Sequence, residues 1–187
     1  MAKIELPQER ALRLLVPGPV VLLTAQYRGQ PNVMPAAWIT PASYRPPMVV
    51  AAVYTETLTH YLATRSQEFI VNIPGRPLAE AVWGCGQVSG RDVDKFVRYK
   101  LTPVEGKRVT APWVDECLAH VECGLVESFQ AGDHALLLGQ VIGAWVEEEA
   151  FDTSWKLEEE EMVPLHHLGG RGFALLRDSF VVPGDAQ

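Results

Sequence analysis

Read for the alternation of apolar and polar positions, the chain opens as a series of strands. Residues 20–27 form an apolar, β-branched run, launched by Pro17-Gly18-Pro19 and closed by the turn cluster Arg28-Gly29-Gln30-Pro31. Residues 32–40 read as a second extended stretch, so the two predict a hairpin. Pro35 has no N–H to give to a ladder, which places this second strand at an edge or a bulge. Residues 48–54 make a third strand after Pro46-Pro47, and residues 69–73 a short fourth one stopped by Pro74-Gly75.

The period then changes. Leu58, Tyr61 and Leu62 recur at helical spacing, with Thr55 or Thr57 as N-cap. Leu78 and Val82 predict a second helix after Pro77, ending near Gly84–Gly86. Asp92 is expected to cap a third, with Val93, Phe96 and Val97 as its apolar stripe. Strands return at residues 120–129 and 134–146, where Gly139 and Gly143 predict bends or bulges, and a last one is expected at 172–176. Strands outnumber helices and no βαβ alternation runs through the chain. The pattern therefore predicts a mainly β protein: an antiparallel barrel or sandwich with short inserted helices. No repeat or Gly/Ser linker divides it, so residues 1–187 are expected to form one domain.

Composition narrows the function. Of 187 residues, 48% are hydrophobic and 21% charged, a globular profile that excludes disorder as the main state. The net charge is −7, and the dense runs are acidic, at Glu147-Glu148-Glu149 and residues 158–161. No clustered cations are present to neutralise a row of phosphates, which argues against a nucleic-acid partner. The apolar runs fall far below the roughly 20 residues of a bilayer helix. Met1-Ala2-Lys3-Ile4-Glu5 has no apolar leader core, and Cys85, Cys117 and Cys123 are odd in number without CxxC spacing. Both features fit a reducing, cytoplasmic location.

Several familiar chemistries find no support. Residues 84–90 imitate a dinucleotide loop, but the third glycine comes one residue late and a helix, not a strand, precedes it. There is no GxxxxGK, HExxH or GxSxG. A metal-dependent enzyme using His134, His166 and His167 is an alternative, although adjacent strand residues such as His166 and His167 point to opposite faces. Cys117 and Cys123 each follow a glutamate, which disfavours a thiolate, and Cys85 has no cation beside it in sequence.

The segment from Asn32 to Ser43 does carry a signal. It is rich in small and hydroxyl residues around a single Trp38, so a planar ligand can approach its backbone. Thr59 falls in the first turn of a helix, where unpaired amides favour an anion. Ser89-Gly90-Arg91-Asp92-Val93-Asp94-Lys95-Phe96 brings a glycine turn, two cations and a helix start together, which suits a phosphate. The plainer reading of that segment is a capped surface helix with Asp92–Lys95 and Arg91–Asp94 ion pairs.

In order and spacing these pieces resemble the flavin reductase-like FMN-binding proteins, flavoredoxin branch. The resemblance runs from about Pro17 to Phe173. It is carried by Asn32 to Ser43 with Arg45-Pro46-Pro47, then Phe69-Ile70-Val71-Asn72-Ile73-Pro74, Cys85-Gly86, Ser89-Gly90 and Asp94-Lys95-Phe96. Gly132-Asp133-His134 leading to Gly139-Gln140-Val141 completes it. The resemblance implies a split β-barrel of Greek-key type, a homodimer, and bound FMN passing electrons from NAD(P)H or a redox partner. Asn32, Trp38 and Thr40 would line the ring or ribityl chain, with the backbone of Met34, Pro35, Ala36, Ala37 and Ile39, and Ser43 nearby. Thr59 and Lys95 would hold the phosphate, helped by Ser89 and Gly90. His134 is the side chain singled out for catalysis, beside the flavin or the approaching nicotinamide. His167 stands where relatives often carry an aromatic ring. A flavin-binding module without catalysis is the other reading of the same resemblance.

Overall fold

The computed structural model describes residues 3–182; residues 1–2 and 183–187, which belong to the expected N-terminus and the expected 1–187 domain, lie outside the described residues. In chain order the strands are β1 (Gly18–Pro19), β2 (Val21–Tyr27), β3 (Gln30–Ala36), β4 (Ile39–Tyr44), β5 (Pro47–Tyr54) and β6 (Glu68–Ile73). They continue with β7 (Pro103–Glu105), β8 (Pro112–Val114), β9 (Ala119–Ala131), β10 (His134–Val146), β11 (His166–Gly169) and β12 (Gly172–Ala174). The α-helices are α1 (Gln8–Ala11), α2 (Leu58–Ser66), α3 (Ala79–Cys85) and α4 (Lys95–Arg98).

Seven strands build one antiparallel sheet in the order β3-β2-β6-β9-β10-β5-β4. Its two edges, β3 and β4, are consecutive in the chain and joined by Ala37 and Trp38 alone. Three Cα–Cα steps reach at most about 11 Å, so the sheet must curl until its edges meet at that corner. No ladder closes the gap, and the result is a split barrel. The expected strand over 32–40 is thus two strands: the Trp38 carbonyl accepts the Ala52 amide at 2.8 Å as the chain crosses between edges. Pro35 lies opposite Leu22 on an edge strand, as a residue without an N–H requires.

Strand β2 is buried on both faces. Val21, Leu23 and Ala25 point into the barrel with Phe69, Val71, Leu137 and the α2 residues Leu58, Leu62 and Ala63. Leu22 belongs to a second core with Val20, Val33, Leu78, Val82, Cys85 and Phe96. Helix α2 fills the barrel, whereas α3 and α4 pack outside it against β3. Each fully buried side chain such as Phe69 or Leu22 contributes about 1.5–3 kcal/mol. Gly139 explains the first break in register between β9 and β10, because a Cβ there would lie 2.5 Å from the Phe69 ring. The second break falls at Gly143, where a bulge was also expected.

Two local expectations change. Asp92 lies in a turn whose amides at Asp92 and Val93 both bond the Ser89 carbonyl; the helix cap is Asp94, which accepts the Val97 amide at 3.1 Å. That short helix exposes Val97, and its expected ion pairs are not formed among the described residues. Tyr61 likewise faces solvent on α2, while Leu58 and Leu62 hold the apolar stripe. The last strand stops at Ala174.

Buried polar groups are paired. Asn72 donates to the Leu22 carbonyl and Thr24 Oγ1, and its oxygen takes the Val114 amide and His120 Nδ1. Glu122, fully buried, accepts the Lys107 and Arg108 amides and Trp113 Nε1, each at 2.7 Å. The three cysteines are free and buried, and burial pushes the thiols of Cys85 and Cys123 up to about 11 and about 12, with Cys117 also well above its ordinary value. Activated thiolates find no support there. No helix among the described residues is long and apolar enough to cross a membrane.

Candidate flavin site

A cleft of about 260 Å³ lies where β3, the start of α2 and the loop before α4 converge. Thr57 caps α2, its hydroxyl accepting the His60 amide at 3.2 Å. The amides of Leu58 and Thr59 precede the first backbone helix bond, from Tyr61 to Thr57. Thr59, fully buried, accepts from Asn32 Nδ2 at 2.8 Å. Gly90 packs on the other side of that amide: a Cβ there would sit 2.0 Å from Asn32 Oδ1. Asn32 is therefore clamped between a hydroxyl and a glycine, with the cleft in front of it.

The α4 wall carries the charge. Lys95 opens α4 with only 6% of its surface exposed, and its ammonium donates to the Cys85 carbonyl at 2.7 Å. Burial pushes its pKa below the ordinary lysine value. One carbonyl satisfies one of three ammonium donors, so the group is suited to an anion in the cleft it lines. Ser89 holds the adjoining turn by accepting the Arg91 amide at 3.1 Å. The Arg91 guanidinium crosses to the Glu56 carbonyl at 3.1 Å, tying this wall to the loop before α2.

A second, more apolar chamber of about 160 Å³ adjoins the first through Pro35 and Gly86. Its walls are Val20, Ala37, Val82, Trp83 and Gln87, with His167 and Phe173. The β11–β12 ladder sets His167 opposite Phe173, ring centroids 5.5 Å apart. His167 Nε2 donates to the Gly170 carbonyl at 3.0 Å, because a carbonyl only accepts.

Beyond the first cleft, at the start of β10, the His134 ring lies beside two aromatic residues. Its centroid is 4.9 Å from Trp38 and 5.7 Å from Tyr54, and Tyr54 itself lines the cleft. Nδ1 of His134 lies 2.7 Å from Asp133 Oδ1.

Comparison with known proteins decides the family. Residues 12–173 match the flavin reductase like domain. The chain belongs to that family. It is 35% identical over 175 residues to the uncharacterized protein YddH of Escherichia coli (strain K12), across 91% of this chain and 93% of that one. Flavoredoxin of Desulfovibrio vulgaris (Miyazaki F) superposes with a TM-score of 0.84 at 25% identity, covering 99% of this chain and 98% of its own. The FMN-binding domain of a flavin reductases-like enzyme from Shewanella baltica OS155 gives 0.81 at 26% identity, with 95% and 96% covered. The fold is accordingly the mainly β, antiparallel barrel of flavin reductase-like proteins.

Within this flavin reductase-like chain the expected residues separate into groups. Asn32, Met34, Pro35, Ser89, Gly90 and Lys95 line the first cleft, with Thr59 directly behind Asn32. Ala37 and His167 line the second chamber. Trp38 and His134 lie together at the rim. Ala36 faces the barrel core, Ile39 packs against it, and Thr40 and Ser43 lie along β4 outside both linings. The structure does not assemble the alternative metal set, and no group of three His, Cys, Asp or Glu side chains suited to a metal occurs among the described residues. Trp83, Phe173, Tyr54 and Glu56 line the chambers without having been singled out. The adjacent Cys85-Gly86 pair, which carries part of the resemblance, also lines the cleft.

Proposed function

We propose that the chain is an FMN-binding flavoprotein of the flavin reductase and flavoredoxin type, taking electrons from NAD(P)H or a redox partner. The observation that carries this reading is the buried Lys95 ammonium on the wall of a cleft that also receives the start of α2. A chain of net charge −7 needs such a fixed cation to hold a phosphate monoester. The fit extends to the ring: the adjoining chamber is largely apolar, with small residues at Ala37 and Gly86 that let a planar group meet the backbone. FMN binding by the Shewanella baltica relative supports the same choice.

When bound, the flavin supplies hydride and electron transfer. The chain's own residues bind and orient. Lys95, Ser89 and the amides at the start of α2 would hold the phosphate, and Asn32, locked by Thr59, would face the ribityl chain. Pro35, Ala37, Trp38 and His167 would flank the ring. His134 would exchange protons at the rim. The exposed faces of Trp38 and Tyr54 beside it suit cover by a second copy of the chain, in keeping with a homodimer.

The test is a visible-absorption titration of the purified protein with FMN, followed by gel filtration and addition of NADH or NADPH. A retained, perturbed flavin spectrum that bleaches with nicotinamide supports the reading. Retained flavin that no nicotinamide bleaches leaves an electron carrier fed by a protein partner, or a binding module. Absence of any flavin binding overturns the proposal.

A further inference from the structure

The turn between β9 and β10 presents an Asp–His pair that fold stability does not explain. Asp133 is 77% exposed, and an exposed pair of this kind contributes little to stability. Its backbone is nevertheless fixed. Its backbone carbonyl accepts both the amide and the hydroxyl of Thr55, each at 3.2 Å. Thr55 follows directly on Tyr54, whose ring lines the cleft and lies beside His134. The hydrogen bond from His134 holds the Asp133 carboxyl below the usual carboxylate range, so it is ionised at neutral pH. An ionised carboxylate only accepts, so the ring proton resides on Nδ1. Nε2 has no hydrogen-bond partner among the described residues. The titratable groups beside the ring are Asp133 from its own turn and Tyr54 from β5; Trp38, also in contact, carries none.

We propose that Asp133 is a positioning residue that holds His134 as the Nδ1–H tautomer, so that protons enter and leave the site at Nε2, with Thr55 fixing Asp133 in turn. The inference rests on the reading of His134 as a residue beside the flavin. Hydride transfer leaves its acceptor with one added negative charge. A proton taken from solvent at Nε2 makes the imidazolium, whose charge the Asp133 carboxylate balances. Release of that proton from Nε2 to the acceptor neutralises the added charge and restores the neutral ring.

The experiment combines ring nitrogen NMR with kinetics. In the neutral ring, wild-type protein should show Nδ1 protonated and Nε2 bare, with or without FMN. Asp133→Ala should make the Nε2–H form the major one, and Asp133→Asn should restore Nδ1–H, since its amide oxygen still accepts. In FMN-loaded protein, Asp133→Ala should slow reduction by NAD(P)H about tenfold and reshape its pH profile, with FMN affinity unchanged. A ring that stays Nδ1–H in Asp133→Ala overturns the proposal. So does a pH profile identical to wild type in Asp133→Ala when His134→Gln alters it. If the wild-type protein binds no FMN, the functional reading fails, and if loaded protein is not reduced by NAD(P)H only the nicotinamide donor is excluded; in either case the tautomer measurement still decides the role of Asp133.

Discussion

The ammonium of Lys95 donates to the backbone carbonyl of Cys85 at 2.7 Å, and both residues are buried. A lone buried cation opposite a neutral carbonyl costs stability, because burial disfavours its charged form. The sign follows directly: the folded pKa lies below the unfolded one, so the cost is present in full at neutral pH and is relieved only as pH rises through the folded value.

Lys95→Met is therefore expected to move binding and stability in opposite directions. FMN affinity should fall roughly 10- to 100-fold, the scale of one lost charged hydrogen bond. The flavin-free protein should be no less stable than wild type, and more so if the methionine fills the site. Flavin fluorescence titration and urea melts of the flavin-free protein check the two halves separately.

Gly90→Ala should act through Asn32. The new Cβ collides with the amide that bonds Thr59, so that clamp must shift. We expect a loss of about 1–3 kcal/mol in stability, as for overpacking, together with weaker FMN binding. Gly29→Ala, a turn position with open space but φ of +77°, is the comparison: strained backbone and intact clamp. Weakened flavin binding in the second variant and not the first would remove the clamp from the site.

Acid sensitivity is expected from His120. Its ring stacks on Trp113 at 4.3 Å, bonds Asn72, and burial pushes its pKa down to about 4 from an ordinary 6.5. The unfolded chain binds the extra proton first, so stability is full above pH 6.5 and declines as pH falls towards about 4. The loss reaches a few kcal/mol, at about 1.4 kcal/mol per pH unit of separation. Urea melts between pH 7 and pH 4 should show this slope, and His120→Gln should flatten it.

Strand positions were legible wherever alternation or a long apolar run spanned five residues or more, and so were the bulges at Gly139 and Gly143. The two- to four-residue strands β1, β7, β8, β11 and β12 are too short for a period to identify their boundaries. Pairing was less legible still. Nothing local in the sequence marks that Asn32 bonds Thr59, 27 residues on, or that Lys95 reaches back to Cys85. Phe173 became a chamber wall only through its place opposite His167, a ladder formed by one of those short strands. The segments of the first cleft were visible because glycines, hydroxyls and cations cluster in sequence. The aromatic residues around it look like ordinary core until the fold brings them together.

Glu122 offers a test well away from the cleft. Its carboxylate gathers three N–H groups from Lys107, Arg108 and Trp113 and anchors the loop between β7 and β8. Glu122→Ala leaves the buried Trp113 Nε1 unpaired and returns the Lys107 and Arg108 amides to solvent, so a loss of about 1–3 kcal/mol is expected. FMN affinity of the protein that remains folded should be unchanged. Denaturant midpoints and flavin titration on one preparation decide both.

The two-residue link of Ala37 and Trp38 has a consequence for how this barrel can diverge. It is the tether that keeps the sheet's two open edges at one corner, so one inserted residue there would let the seam gape and shift every β4 side chain against the β3 wall. The hairpin tip between Tyr44 and Pro47 bears no such constraint, since it joins strands already laddered together. Natural variants should therefore differ freely in length at that tip, while varying at positions 37 and 38 by side chain alone.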